Sequence, residues 1–204
     1  AFKNLQKIAY YRKLSLSRGG IREDVKKEQI PAKLIYQGKS YKVKLQMTGQ
    51  NLDHVGDSEK WSLRVKVKGE KTIFGMKEFS LLNPHSRGKL SEWVYHQMEK
   101  EEGLISLNFD FVDVTINGKH IGIYTLEEHF RKHVIERNKH REGIIFKPVF
   151  PLKIFNSKKV QKNSVLNEQR LLLLKTWGAF NIGEIEADKL FDYDKMAKFY
   201  AMGN

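Results

Sequence analysis

FDFVDVTINGKHIGIYTLEE, running from Phe109 to Glu128, reads as two β-strands joined at Asn117-Gly118. Asn-Gly between two apolar, β-branched runs signals a type I′ hairpin, because that turn needs positive φ at both central residues. Alternation along the strands gathers Val112, Val114 and Ile116 with Ile121 and Ile123 on a face predicted to be core. Asp113, Thr115, His120, Gly122, Tyr124 and Leu126 take the other face, and the second strand runs straight into two carboxylates, Glu127 and Glu128.

Outward from the hairpin the same periodicities predict an α+β fold. Ile30 to Tyr36 and Tyr41 to Met47 are strands flanking Gln37-Gly38-Lys39-Ser40. A further strand from Trp61 to Lys68 places Trp61, Leu63, Val65 and Val67 on one side and Ser62, Arg64, Lys66 and Lys68 on the other, so one sheet face is apolar and the other basic. Leu90, Trp93, Val94 and Met98 recur at helical spacing within Arg87 to Glu102, with Pro84 and Ser86 before and Gly103 after, and predict a helix packing that stripe on the sheet. Phe2, Leu5, Ile8 and Ala9 mark an opening helix closed by Gly19-Gly20. After the hairpin, His129 to Lys139 reads as helix, Ile144 to Phe150 as an extended segment carrying Lys147, and 151–163 as a lysine-rich loop. Leu166 and Leu171 through Leu174 to Trp177 are apolar enough to predict a buried helix, and Asp192 or Asp194 would cap a last helix through Met196, Phe199 and Tyr200.

Composition narrows the chemistry. With 204 residues, 40% of them hydrophobic, the chain can bury a sizeable core. The absence of cysteine removes disulfides, thiolate metal sites and cysteine nucleophiles. No apolar run reaches the ~18 residues of a membrane span. Thirty-seven basic against 24 acidic residues, a net charge of +13, favour an anionic partner: nucleotide, nucleic acid, acidic protein or anionic surface. A solvated lysine-rich surface is the other reading of that charge.

Ile116-Asn117-Gly118, Gly122-Ile123-Tyr124 and Glu127-Glu128 resemble the NG…GxYxLxE signature of the spore coat protein H (CotH) kinase-like family. Gly49 to His54, Lys60 to Lys66, Phe74 to Phe79, Arg87 to Trp93, Arg141-Glu142-Gly143 and Phe191 to Ala197 resemble other pieces of it in the same order. The resemblance implies an atypical protein kinase: an N-lobe, a hinge near Glu127-Glu128 and the start of a C-lobe. It also implies ATP with Mg²⁺ or Mn²⁺, a protein hydroxyl as acceptor on a surface or coat protein, and a secreted, spore-coat or cell-surface location. The motifs of ordinary kinases and NTPases, GxGxxG, GxxxxGK[ST], HRD and DFG, are absent. Where relatives carry basic residues before a glycine the chain reads Gln46-Met47-Thr48-Gly49, and the aspartates relatives use for metal and catalysis would lie beyond Asn204. The expectation is a truncated module, inactive by itself while its parent would be the kinase, with residues 1–29 an N-terminal helical segment, 30–150 the N-lobe and 151–204 a partial helical C-lobe.

Phosphoryl transfer needs cations at the phosphates and carboxylates that orient them. Arg64 and Lys66, on the basic strand face, would reach phosphates or remain solvated; Arg87, Glu127, Glu128 and Lys147 complete the nucleotide-binding candidates together with Glu92. By kinase analogy Glu92 would supply the helix carboxylate, although at 100° per residue it lies nearly opposite the apolar stripe, where a solvated glutamate is the plain alternative and Arg87 lies beside the stripe. Glu127 and Glu128 would meet nucleotide at the hinge, begin the next helix, or both. His129 and His133 have HxxxH spacing but enclose Phe130, Arg131 and Lys132, which opposes a metal site, so no metal ligand and no catalytic residue is assigned. The competing class is a non-catalytic basic module for nucleic acid or an anionic cell-envelope component. Nucleic acid is less favoured, because Tyr41 and Trp61 fall on the apolar register and leave the basic face without a stacking platform.

Overall fold

The computed structural model describes residues 2–17, 28–49, 51–140, 143–147, 151–155 and 157–189, with 192 and 194. The family-like Arg141-Glu142 and the last helix through Met196, Phe199 and Tyr200 fall outside the described residues. The architecture is α+β. A curled antiparallel sheet contains β1 (Ile30–Tyr36), β2 (Lys39–Met47), β3 (Leu63–Val67), β4 (Glu78–Leu82), β5 (Phe109–Ile116) and β6 (Lys119–Glu128), ordered β1-β2-β3-β4-β6-β5. Helix α1 (Phe2–Leu16) precedes it, α2 (Ser91–Glu101) lies between β4 and β5 in the chain, and α3 (Lys132–Arg137) follows β6. Beyond come a two-stranded ribbon, β7 (Phe146–Lys147) with β8 (Lys153–Ile154), then α4 (Ser157–Lys162) and α5 (Ser164–Asn181). Among the described residues no helix is long and apolar enough to cross a membrane.

Strand alternation builds the core. Val43, Val65, Val67, Phe79, Leu81, Tyr124 and Leu126 share one face of the sheet, which Ile73 and Met76 help to fill. Leu5, Ile8 and Ala9 of α1 close a second cluster with Ile30, Met47, Val55, Trp61 and Leu63. At the hairpin turn Asn117 and Gly118 have φ of 52° and 80°, as a type I′ turn requires.

Val112, Val114 and Ile121 pack against the core as expected, but from Ile123 onward the faces of β6 are the reverse of those expected. A bulge at Ile121 shifts the register, so that Val114 opposes Gly122 and Val112 opposes Tyr124. One extra residue moves every later side chain to the other face. Tyr124 and Leu126 are therefore core, and Ile123 is exposed opposite Asp113.

Helix α2 is also turned over. Leu90, Trp93, Val94 and Met98, the expected core stripe, are all exposed, whereas His96 and Glu99 are buried. The sheet's apolar face is already filled, and the face toward α2 carries Phe109 and Glu127. A polar pair suits that environment. His96 Nδ1 and Glu99 Oε2 lie 2.7 Å apart, the His96 ring sits 5.0 Å from Phe109, and Ser106 Oγ donates to the His96 carbonyl at 3.0 Å.

Three further expectations change. β4, a central strand, falls in a stretch read without one. Residues 151–163 hold β8 and α4 in addition to loop. In α5 only Leu166 is buried, while Val165, Leu171, Leu172 and Leu174 are exposed; its described neighbour α4 contributes just one buried residue, Val160.

Tyr124 supplies a test of the core. Its ring is fully buried, and its hydroxyl has no hydrogen-bond partner among the described residues. Burial pushes the phenol well above its ordinary pKa, and Asp57 adds to the shift. Removing an unsatisfied buried hydroxyl while keeping the ring relieves a desolvation cost. Tyr124→Phe is expected to raise stability by about 1 kcal/mol in a urea titration; a loss of that size would show that the hydroxyl is satisfied.

Candidate functional site

The polar face of the sheet is set by register. Arg64 on β3 lies between Gln46 of β2 and Ser80 of β4, and Ser80 in turn opposes Glu127 of β6. Lys66, two residues on, lies between Lys44 and Glu78. These side chains therefore share one surface, with Arg64 and Glu127 two strand spacings, about 10 Å, apart. Among the described residues Lys44 and Lys66 make no side-chain ion pair.

Two ionic groups occupy this surface. In the first, Glu78 is the hub: its carboxylate stands 3.9 Å from Arg64 Nε, 3.8 Å from His129 Nε2 and 3.0 Å from an Arg131 nitrogen. Burial holds His129 below the ordinary histidine range, and Arg64 and Arg131 add to that shift against Glu78. With His129 neutral, two guanidinium groups exceed the one carboxylate. Arg64 Nε is itself buried without a hydrogen-bond acceptor.

In the second group, Arg87 bridges the carboxylates of Glu92 at 3.5 Å and Glu127 at 2.5 Å. A 3₁₀ turn over Pro84–Arg87, capped by the Asn83 side chain, delivers Arg87 to this place. Burial raises the Glu92 pKa, Glu127 adds to the rise, and Arg87 opposes it. The arginine thus ties the start of α2 to the end of β6.

His54 lies close by. Its Nδ1 is 2.9 Å from Ser62 Oγ, and its Nε2 is 3.8 Å from Asp53. The trio has the residue types of a hydrolytic triad, but Ser62 is fully buried and its Oγ accepts the Asn83 backbone N–H at 3.2 Å. Ser62 is a structural tie. Burial lowers the His54 pKa, with Asp53 opposing and Arg87 reinforcing the shift.

Of the residues singled out in the sequence, the fold brings Arg87, Glu92 and Glu127 into contact and sets Arg64 and Lys66 on the same face. Glu128 points to the opposite face, where its buried carboxylate accepts from Arg137 and from the Asn108 backbone N–H at 3.0 Å. Lys147 is exposed on the β7–β8 ribbon, opposite Lys153. Glu78, His129 and Arg131 were not singled out as binding residues. The run Phe79-Ser80-Leu81-Leu82 after Glu78 was the available signal, being short, apolar and close to the length of a buried strand.

Among the described residues no three histidines, aspartates or glutamates gather as a metal site. Glu78, Glu92 and Glu127 each lie within ion-pair distance of an arginine, which competes with a divalent cation for those oxygens.

Compared with known proteins, the chain matches over residues 38–203 the family model described as CotH kinase protein. No curated protein matches it. The matched span takes in every element from β2 through α5, and the chain belongs to the CotH kinase family.

Proposed function

We propose that the polar face of the sheet is the phosphate-binding floor of an atypical kinase that transfers the γ-phosphate of ATP to serine or threonine hydroxyls of a protein, a coat or surface protein by family association. The observation that carries this reading is the row of cations on one face, Arg64 beside the direct cross-strand pair Lys44 and Lys66, whose ammonium groups have no ion-pair partner among the described residues. Like charges directly opposite one another on a sheet are destabilising, a cost that a phosphate lying against them would offset. Family membership supplies the reaction class.

The arrangement departs from ordinary kinases at one place. There the phosphate-binding lysine sits on the strand before the helix and pairs with a helix glutamate. Here the strand before α2 is β4, Glu78-Phe79-Ser80-Leu81-Leu82, which has no lysine. In this reading the cation comes from the neighbouring strand as Arg64, and Glu92 is held by Arg87. Arg87 and Glu127 position the exit of β6, the proposed hinge into a helical C-lobe. Mg²⁺ or Mn²⁺, which the family implies, does not fit the described carboxylates, each of which is held by an arginine. The chain's own residues bind and orient the triphosphate.

A calorimetric titration with ATP tests the floor. Lys66→Ala and Arg64→Ala are each expected to weaken binding about tenfold or more, the scale of one charge-assisted hydrogen bond. Lys42→Ala, toward the sheet edge opposite Lys33, should change it less than about twofold. Equal losses at Lys42 and Lys66 would mean general charge and defeat the site.

A further inference from the structure

Five exposed lysines, Lys147, Lys153, Lys158, Lys159 and Lys162, follow one another along the β7–β8 ribbon and α4, and none of them belongs to the sheet face described above. No aspartate or glutamate occurs anywhere between Gly143 and Asn167. Among the described residues none of the five makes an ion pair. Lys147 and Lys153 are direct cross-strand partners, a like-charge pairing that costs stability unless an anion sits against it. Phe155 is about half exposed, at 49%, and its backbone N–H donates to the Ile145 carbonyl at 3.0 Å, which extends the ribbon by one pair. Strand alternation puts Phe155 on the side of Lys153, and Ile145 on the side of Lys147. Val165, just beyond α4, is exposed as well.

We propose that the β7–β8 ribbon and α4 form a docking surface for an anionic lipid bilayer. The charge is complementary: a cluster of four to eight basic side chains is what an anionic leaflet attracts, and each contributes near the surface. The apolar groups decide between a bilayer and a nucleic acid. Single-strand binders present successive aromatic rings for base stacking. Here one ring is accompanied by aliphatic Ile145 and Val165, which gain from entering the acyl boundary but not from stacking. The lysine stems allow the ammonium groups to reach headgroup phosphates while Phe155 enters below them. This surface is independent of the kinase reading, since it shares no residue with the phosphate-binding floor.

Co-sedimentation of the whole chain with vesicles of mixed phosphatidylglycerol and phosphatidylcholine, and with phosphatidylcholine alone, tests the proposal. The protein should pellet with the mixed vesicles only. Lys158→Ala/Lys162→Ala should lower the partition coefficient about thirtyfold, and Phe155→Ser should lower it at unchanged net charge. Lys33→Ala/Lys42→Ala removes the same charge from the sheet and should change it less than about twofold. Because all of these side chains are exposed, circular dichroism should be unaltered in every variant. Equal losses from the two lysine pairs, or no preference for phosphatidylglycerol, would overturn the proposal. So would a single-stranded polynucleotide that binds through Lys158 and Lys162 at physiological salt while vesicles do not.

Discussion

Arg137→Ala is expected to destabilise the fold by about 3 kcal/mol, because it leaves the Glu128 carboxylate buried and without its cation. Glu128 is 5% exposed at the end of β6, and its remaining acceptor contact is the Asn108 N–H. Arg137 also donates to the Ser106 carbonyl at 3.1 Å, so its loss leaves only the longer Asn138 Nδ2 contact, at 3.5 Å, between the end of α3 and that carbonyl. The arginine is itself partly exposed, which keeps the expected cost at the lower end for a broken buried pair. Arg137→Lys should recover part of the loss, since an ammonium restores the charge but not the two-partner geometry. Urea denaturation measures both. A loss below about 1 kcal/mol for Arg137→Ala would show that solvent screens the pair as it does a surface salt bridge.

Gly49→Ala should cost about 3 kcal/mol for a steric reason. Gly49 has φ of +90°, a conformation that costs a residue with a side chain on the order of 1–3 kcal/mol. A Cβ there would also fall 2.0 Å from His54 Cγ. The ring would have to move, and with it the contact to Ser62 Oγ, on which the Asn83 N–H depends. Arg12, a buried residue of α1, anchors the same loop by donating to the carbonyls of Met47 and Gly49. Removing the ring separates clash from backbone strain: in a Gly49→Ala/His54→Ala cycle the two losses should be less than additive by about 1 kcal/mol. Strict additivity would place the whole cost in the backbone.

The legible parts of this molecule are those where local chemistry and tertiary environment agree. β1, the Asn117-Gly118 turn and the buried register of Trp61, Leu63, Val65 and Val67 follow from turn residues and period-two alternation. The proximity of Arg87, Glu92 and Glu127 was only partly legible. All three lay in family-like segments, but no local rule states that an arginine before a helix will bridge that helix to a strand forty residues later. Glu128, adjacent to Glu127 and chemically identical, faces the other way because successive strand residues alternate.

The sequence by itself determined the α+β class, the hairpin, the two-sided character of β3 and the membership of the CotH kinase family. Only the tertiary structure decided which faces meet. The bulge at Ile121 turned Tyr124 and Leu126 inward, because a one-residue shift reverses every later side chain. The filled core left α2 to bury His96 and Glu99 and to expose its apolar stripe, since a helix packs whichever side complements the surface offered to it. Glu78 became the partner of Arg64, His129 and Arg131 for the same reason: these residues are far apart in the chain, and only strand pairing sets them side by side.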